Sequence, residues 1–153
     1  MAHQFSVSRR RVIAAPADRV FAQVVDFAHW VAWSPWEGMD PDMKRTYSDR
    51  TSGVGATYGW LGNRKVGEGG MAITEVVENE RIAIDLSFIK PFKAENKTLF
   101  EFRAVDGGTE VSWSMTGELN FLMRIMGIFM PMDKMVGPDF EKGLRQLAEV
   151  VEA

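Results

Sequence analysis

The chain has 153 residues, 46% hydrophobic and 25% charged, which is the balance of an ordinary globular protein with a packed core and excludes a disordered or fibrous chain. It has no cysteine, which excludes disulfides, thiol nucleophiles and cysteine-based metal or iron–sulfur sites, and suits a reducing cytoplasm. With 18 basic and 21 acidic residues the net charge is -3, which argues against nucleic acid as a partner.

From Phe5 to Ile13 the apolar Phe5, Val7 and Ile13 alternate with the polar Ser6, Ser8 and Arg10, predicting an edge strand with one solvated face. The run Arg9-Arg10-Arg11 within it superficially resembles a twin-arginine export signal. The apolar stretch behind it stops at Asp18-Arg19 after about six residues, short of the roughly 7 to 15 an export signal needs, so the run is read as strand. Pro16 suits a first helical position, and Val20, Phe21, Val24 and Ala28 recur at spacings of three and four, predicting a short amphipathic helix over residues 16 to 28.

Residues His29 to Asp42 hold Trp30, Trp33 and Trp36 with Pro35, Gly38 and Pro41, the composition of a structured aromatic loop. Strands are predicted over Met43–Ser48, Ala56–Leu61 and Val66–Val77, separated by turns at Ser52-Gly53-Val54-Gly55 and Gly62-Asn63-Arg64-Lys65. The clearest strand is Arg81–Ile89, where Ile82, Ile84, Leu86 and Phe88 alternate with Ala83, Asp85 and Ser87. Lys97–Val105 carries Phe100 and Phe102 in phase, Asp106-Gly107-Gly108 is a hairpin turn, and Val111, Trp113 and Met115 alternate beyond it. Seven strands result.

After Gly117 the period changes. Phe121, Leu122, Ile125, Met126 and Phe129 predict a short helix ending at Pro131. Met132, Met135, Val136, Phe140, Leu144, Leu147 and Val151 then mark a long amphipathic helix, with Pro138 requiring either a kink or a restart. No window approaches the ~18 consecutive apolar residues of a membrane span, so no integral membrane association is expected. The expected architecture is one α+β domain over residues 1–153. In it an antiparallel sheet of seven strands curves around the long C-terminal helix, the element with enough apolar surface to cover its inner face.

At this point the residues resemble the SRPBCC or START-like superfamily of polyketide cyclase/dehydrase and lipid-transport type, which shares its helix-grip fold with the major birch pollen allergen. The resemblance runs nearly end to end. It rests on Ile13-Ala14-Ala15-Pro16-Ala17-Asp18-Arg19-Val20-Phe21, Asp26 with Trp30, Trp33-Ser34-Pro35-Trp36, Gly53-Val54-Gly55 and Trp60-Leu61-Gly62-Asn63. It continues through Val66-Gly67-Glu68-Gly69, Pro91-Phe92, Gly107-Gly108-Thr109 and Met132-Asp133-Lys134-Met135 to Leu147. It implies a container for a small hydrophobic or amphipathic molecule, with a polyketide cyclase/dehydrase-like enzyme as the alternative; it transfers no catalytic residue and implies no cofactor.

Strand phase places Tyr58, Trp60, Met71, Ile73, Leu86, Phe88, Phe100, Trp113 and Met115 inward, facing Met132, Val136, Phe140 and Leu144. On periodicity alone these make a solid core; the resemblance makes them a pocket wall. An empty cavity costs about 24 cal/mol per Å³, so a dry pocket of roughly 300 Å³ would cost about 7 kcal/mol, comparable with a whole domain's stability. Bulky walls, water or a ligand must therefore fill it, and ten methionines suit adaptable walls. The candidate ligand contacts are Trp33, Trp36, Tyr58, Trp60, Glu68, Met71, Phe88, Trp113, Met115, Asp133, Val136 and Phe140.

Several of these have more than one reading. Trp30, Trp33 and Trp36 form a lid over the ligand, a plug on the end of the sheet, or an exposed docking surface for a protein partner. Gly67-Glu68-Gly69-Gly70 marks a bulge with Glu68 near the pocket mouth, and a phosphate loop is excluded because no Lys-Ser/Thr or helix follows. Asp133 is either a first-turn charge or a proton carrier, and Tyr58 is the best polar group to hydrogen-bond a ligand inside. His3 and His29 have no metal-site spacing, no Gly-x-Ser-x-Gly elbow is present, and the sequon Asn96-Lys97-Thr98 is read as chance.

Overall fold

The regular alternation of Arg81 to Ile89 is realised in the computed structural model as a strand from Arg81 to Lys90. The structure describes residues 3–36, 40, 42–63, 67–90, 93–119 and 132–152. Its strands are β1 (His3–Ile13), β2 (Lys44–Tyr47), β3 (Thr57–Leu61), β4 (Glu68–Val77), β5 (Arg81–Lys90), β6 (Ala94–Val105) and β7 (Gly108–Leu119). All seven belong to one sheet in the order β1-β7-β6-β5-β4-β3-β2, each pair antiparallel. From β2 to β7 each strand pairs with the next in sequence. β1 lies at one edge beside β7 and carries the Arg9-Arg10-Arg11 run inside it, as expected. The predicted helix over Phe121–Phe129 lies outside the described residues.

The first helix is shorter than the apolar spacing predicts. Helix α1 spans Ala17–Val25, with Pro16 extended at its N-cap (φ -67°, ψ 153°) instead of inside the first turn. It stops because Asp26 is extended (φ -115°, ψ 112°) and its Oδ1 accepts the Ala28 N–H at 2.9 Å, which caps a separate 3₁₀ helix, Phe27–Ala32. Asp side chains favour this role over a helix interior. The segment read as an aromatic loop therefore begins as helix. Its indoles also close α1: Trp30 Nε1 donates to Val24 O at 2.9 Å and Trp33 Nε1 to Gln23 O at 3.1 Å, satisfying carbonyls near the end of α1. His29 Nδ1 lies 3.1 Å from the preceding carbonyl, Ala22 O.

Pairing register lays the inward side chains in rows across the sheet. One row is Tyr58, Met71, Leu86, Asn96, Gly117 and Phe5; the next is Ile73, Ile84, Thr98, Met115 and Val7. A further row holds Ile82, Phe100 and Trp113. The C-terminal helix α2 (Met132–Glu152) crosses this face and runs continuously through Pro138, so no restart occurs there. It is fixed at several points along its length. Glu141 pairs with Arg9 of β1 at 3.0 Å, Gln146 Nε2 donates to Trp33 O at 2.8 Å, and Glu152 accepts the Ala14 N–H at 2.9 Å. The result is the α+β helix-grip arrangement, with Phe140, Leu144, Leu147 and Val151 buried against the sheet.

Candidate functional site

At the centre of the interior, Trp113 is held between two rings. Phe140 stacks on one side at 4.2 Å and 8°, and Phe100 on the other at 4.8 Å and 28°. Trp33 meets the Trp113 ring edge-on at 5.8 Å, as does Trp36 at 5.8 Å, and Trp30 packs on Trp33 at 4.6 Å. Trp33, Phe100 and Phe140 are essentially inaccessible (0%, 0% and 1%). Here the sheet and α2 interlock as an ordinary core. Trp33, Trp113 and Phe140 are fully buried here, and Met115 is buried beside them.

One or two rows away the burial changes. Trp60, Met71, Leu86 and Phe88 on the sheet are only half-buried, as are Trp36 and, on α2, Val136. Trp60 lies across Gly69, its pairing partner, so closely that a Cβ there would come within 2.6 Å of the ring; it meets Phe88 edge-on at 5.8 Å. Glu68 opens β4 opposite Leu61 and Lys90 and is half-buried. The expected bulge is present, because Glu68 pairs with Lys90 and Gly69 with Phe88; the extra residue is Ile89 on β5. Asp133 is the second residue of α2, and its side chain lies outside the described residues.

The interior holds polar groups as well. Tyr58 is buried among rings, 5.9 Å from Phe27, 5.2 Å from Tyr47 and 6.2 Å from Trp60. Among the described residues two buried side-chain atoms have no hydrogen-bond partner: Asn96 Oδ1 and Trp113 Nε1. Leaving such a group unsatisfied costs about 1 to 3 kcal/mol each. Asn96 is 4% exposed and stands between Leu86 and Gly117; a Cβ at Gly117 would collide with the Asn96 amide. Sequence reading missed Asn96, although a signal was present. Phe100 and Phe102 define the inward phase of β6, and stepping back by two places Thr98 and Asn96 on the same face.

The solvent side of the sheet is polar. A groove of about 600 Å³ there is lined by Arg10, Arg81, Arg103, Glu101, Glu110 and Ser112, and Arg103 is paired with Glu110 at 3.0 Å. Asp85, hydrogen-bonded at 2.8 Å, raises the Lys97 ammonium above the ordinary lysine range. Among the described residues no group of three or more His, Cys, Asp or Glu side chains could hold a metal ion, and no helix is long and apolar enough to cross a membrane.

The pattern of sheet, helix and inward rows is matched by a known family. Residues 4–152 match the family described as polyketide cyclase/dehydrase and lipid transport. The chain belongs to that family. Among solved structures it is similar to CV1439 from Chromobacterium violaceum, at 19% identity over 97% of each chain with a TM-score of 0.70. It is also similar to SA2116 from Staphylococcus aureus, at 12% identity over 99% of this chain and 95% of that one with a TM-score of 0.71. DynU16, from the dynemicin biosynthetic locus, shares 14% identity over 97% of this chain and 47% of its own, with a TM-score of 0.63. At such identities these structures share the fold. No curated protein matches the chain.

Proposed function

We propose that this protein acts as a single cytoplasmic domain that binds a small hydrophobic or amphipathic molecule at the half-open end of its interior. The observation that supports this reading is the change in burial along one continuous face. Phe100, Trp113 and Phe140 are sealed, whereas Trp60, Met71, Leu86 and Phe88 on the same face keep part of their surface. Trp36, packed against Trp113 and Phe140, and Val136 of α2 are half-buried as well. In this reading Trp33, Trp113, Met115 and Phe140 form the floor behind the ligand, and Glu68 stands at the mouth.

The magnitudes are adequate. Covering about 400 Å² of apolar surface, ligand and protein together, is worth about 10 kcal/mol; a cost of about 4 kcal/mol for lost freedom leaves a Kd of tens of micromolar. The family description names both cyclases and lipid carriers, so a polyketide cyclase/dehydrase-like reaction is the second reading. In it Tyr58, Glu68 or Asp133 moves a proton while the walls hold the substrate's geometry.

Native mass spectrometry of the purified protein and titration with 1-anilinonaphthalene-8-sulfonate test the binding reading. A bound small molecule, or saturable probe fluorescence lost in Met71→Trp or Leu86→Trp, is the expected result. Non-saturable fluorescence indifferent to both substitutions would sink it. The enzyme reading requires that Tyr58→Phe or Glu68→Gln abolish turnover while binding persists; a carrier changes in affinity by no more than about 0.5 to 1.5 kcal/mol.

A further inference from the structure

We infer that Asn96 is a polar anchor that selects, among apolar ligands, those carrying a hydroxyl group, with the Asn96 carbonyl accepting the ligand's O–H. This rests on the binding reading above. Among the described residues two buried side-chain atoms lack a partner, Trp113 Nε1 and Asn96 Oδ1, and Asn96 Oδ1 is the acceptor of the two. Thr109, also buried on β7, donates to Ala15 O at 2.8 Å, and Trp30 and Trp33 both find carbonyls. An orphan acceptor in this position stands out for that reason.

Its place in the sheet gives the second argument. Asn96 lies in the row of Met71 and Leu86, which are half-buried, and next to the row of Ile84, Thr98 and Met115, which is sealed. It thus marks the inner limit of the open end. Gly117, its partner on β7, has no side chain, and this lets the amide lie over the β7 backbone; any Cβ would push it away. A ligand seated on Trp60, Phe88, Met71 and Leu86 presents its leading end to Asn96. A hydroxyl there satisfies the orphan carbonyl, and a methyl leaves it unsatisfied. Discrimination by a site built to hydrogen-bond a hydroxyl exceeds what an apolar wall provides.

The test compares two probes of nearly equal shape, 2-naphthol and 2-methylnaphthalene, displacing 1-anilinonaphthalene-8-sulfonate from the wild type and from Asn96→Leu. The ratio of naphthol to methylnaphthalene affinity is expected to fall about tenfold in the variant, with methylnaphthalene binding unchanged or tighter. The thermal midpoint of Asn96→Leu should equal or exceed that of the wild type, because an unsatisfied buried carbonyl is replaced by an apolar group of similar size. Should Asn96→Leu not fold, Asn96→Ala is measured for the same ratio. An unchanged ratio overturns the anchor while leaving the binding site intact. Failure of both probes to displace the dye from the wild type overturns the binding reading, and the anchor with it.

Discussion

The Trp113 indole lies flat on the Phe140 ring, 4.2 Å between centroids and 8° from parallel, and this contact joins the sheet to the helix at the middle of the interior. It decides where empty space can exist. With Phe100 stacked on the other face of Trp113 and Trp36 and Trp33 against its edges, this part of the interior is filled by rings. Stability and ligand access are therefore divided between two regions of one face. Phe140→Ala should destabilise the protein by about 3 to 5 kcal/mol, read from urea unfolding, because a fully buried ring is lost and its stacked neighbours cannot collapse into the space. A loss below about 1 kcal/mol would show that the stack contributes little.

Gly143 explains how α2 comes so close. A Cβ there would lie 2.7 Å from the Trp113 ring and 3.0 Å from the Pro35 ring, both of them stiff groups in packed surroundings. Two effects oppose each other in Gly143→Ala. Helix propensity gains about 1 kcal/mol, while overpacking of a rigid core costs about 1 to 3 kcal/mol. The clash should win, lowering the urea midpoint. A raised midpoint would mean that the helix can retreat without loss.

Asp26 separates two helices with one side chain. Asp26→Ala should cost about 1 kcal/mol by leaving the Ala28 N–H uncapped, and Asp26→Asn should retain most of the stability because asparagine caps as well. Equal loss in both variants would point to the carboxylate charge instead of the cap.

Much of this fold can be read from side-chain period. Arg81–Ile89 alternates cleanly because one face of β5 packs inward and the other meets solvent, and the stripe from Val136 to Val151 continues through Pro138 in one unbroken helix. Local hydrogen bonds are harder to read. The apolar spacing through Ala28 suggests one helix, yet the Asp26 carboxylate ends it at Val25, a competition between side chain and backbone that periodicity does not register. For the candidate site, the wall residues Trp60, Met71 and Phe88 follow from strand phase. Which of them are sealed does not, because the plugging of one end depends on Trp30 and Trp33 bonding back onto α1. Asn96 escaped because the predicted strand begins at Lys97, whereas β6 begins at Ala94; Tyr58 lies inside as expected, with aromatic rings around it.

The tight fit of Trp60 over Gly69 links the fold to the proposed site most directly. Gly69 is buried beneath that indole, and a Cβ would come within 2.6 Å of the ring while also meeting the Ser87 carbonyl oxygen across the strand pair. The Ser87 contact is backbone, so relieving it disturbs the pairing of β4 and β5, and the indole must move as well. Trp60 lies at the half-open end, and its displacement changes the wall that a ligand would touch. Gly69→Ala should therefore lower stability by about 1 to 3 kcal/mol, as overpacking does, and weaken 1-anilinonaphthalene-8-sulfonate binding at the same time. Gly143→Ala serves as the comparison, since it strains the sealed region by a similar amount. If Gly69→Ala and Gly143→Ala alter dye binding equally, the effect is general loosening; if Gly69→Ala alone does so, the ligand lies on Trp60.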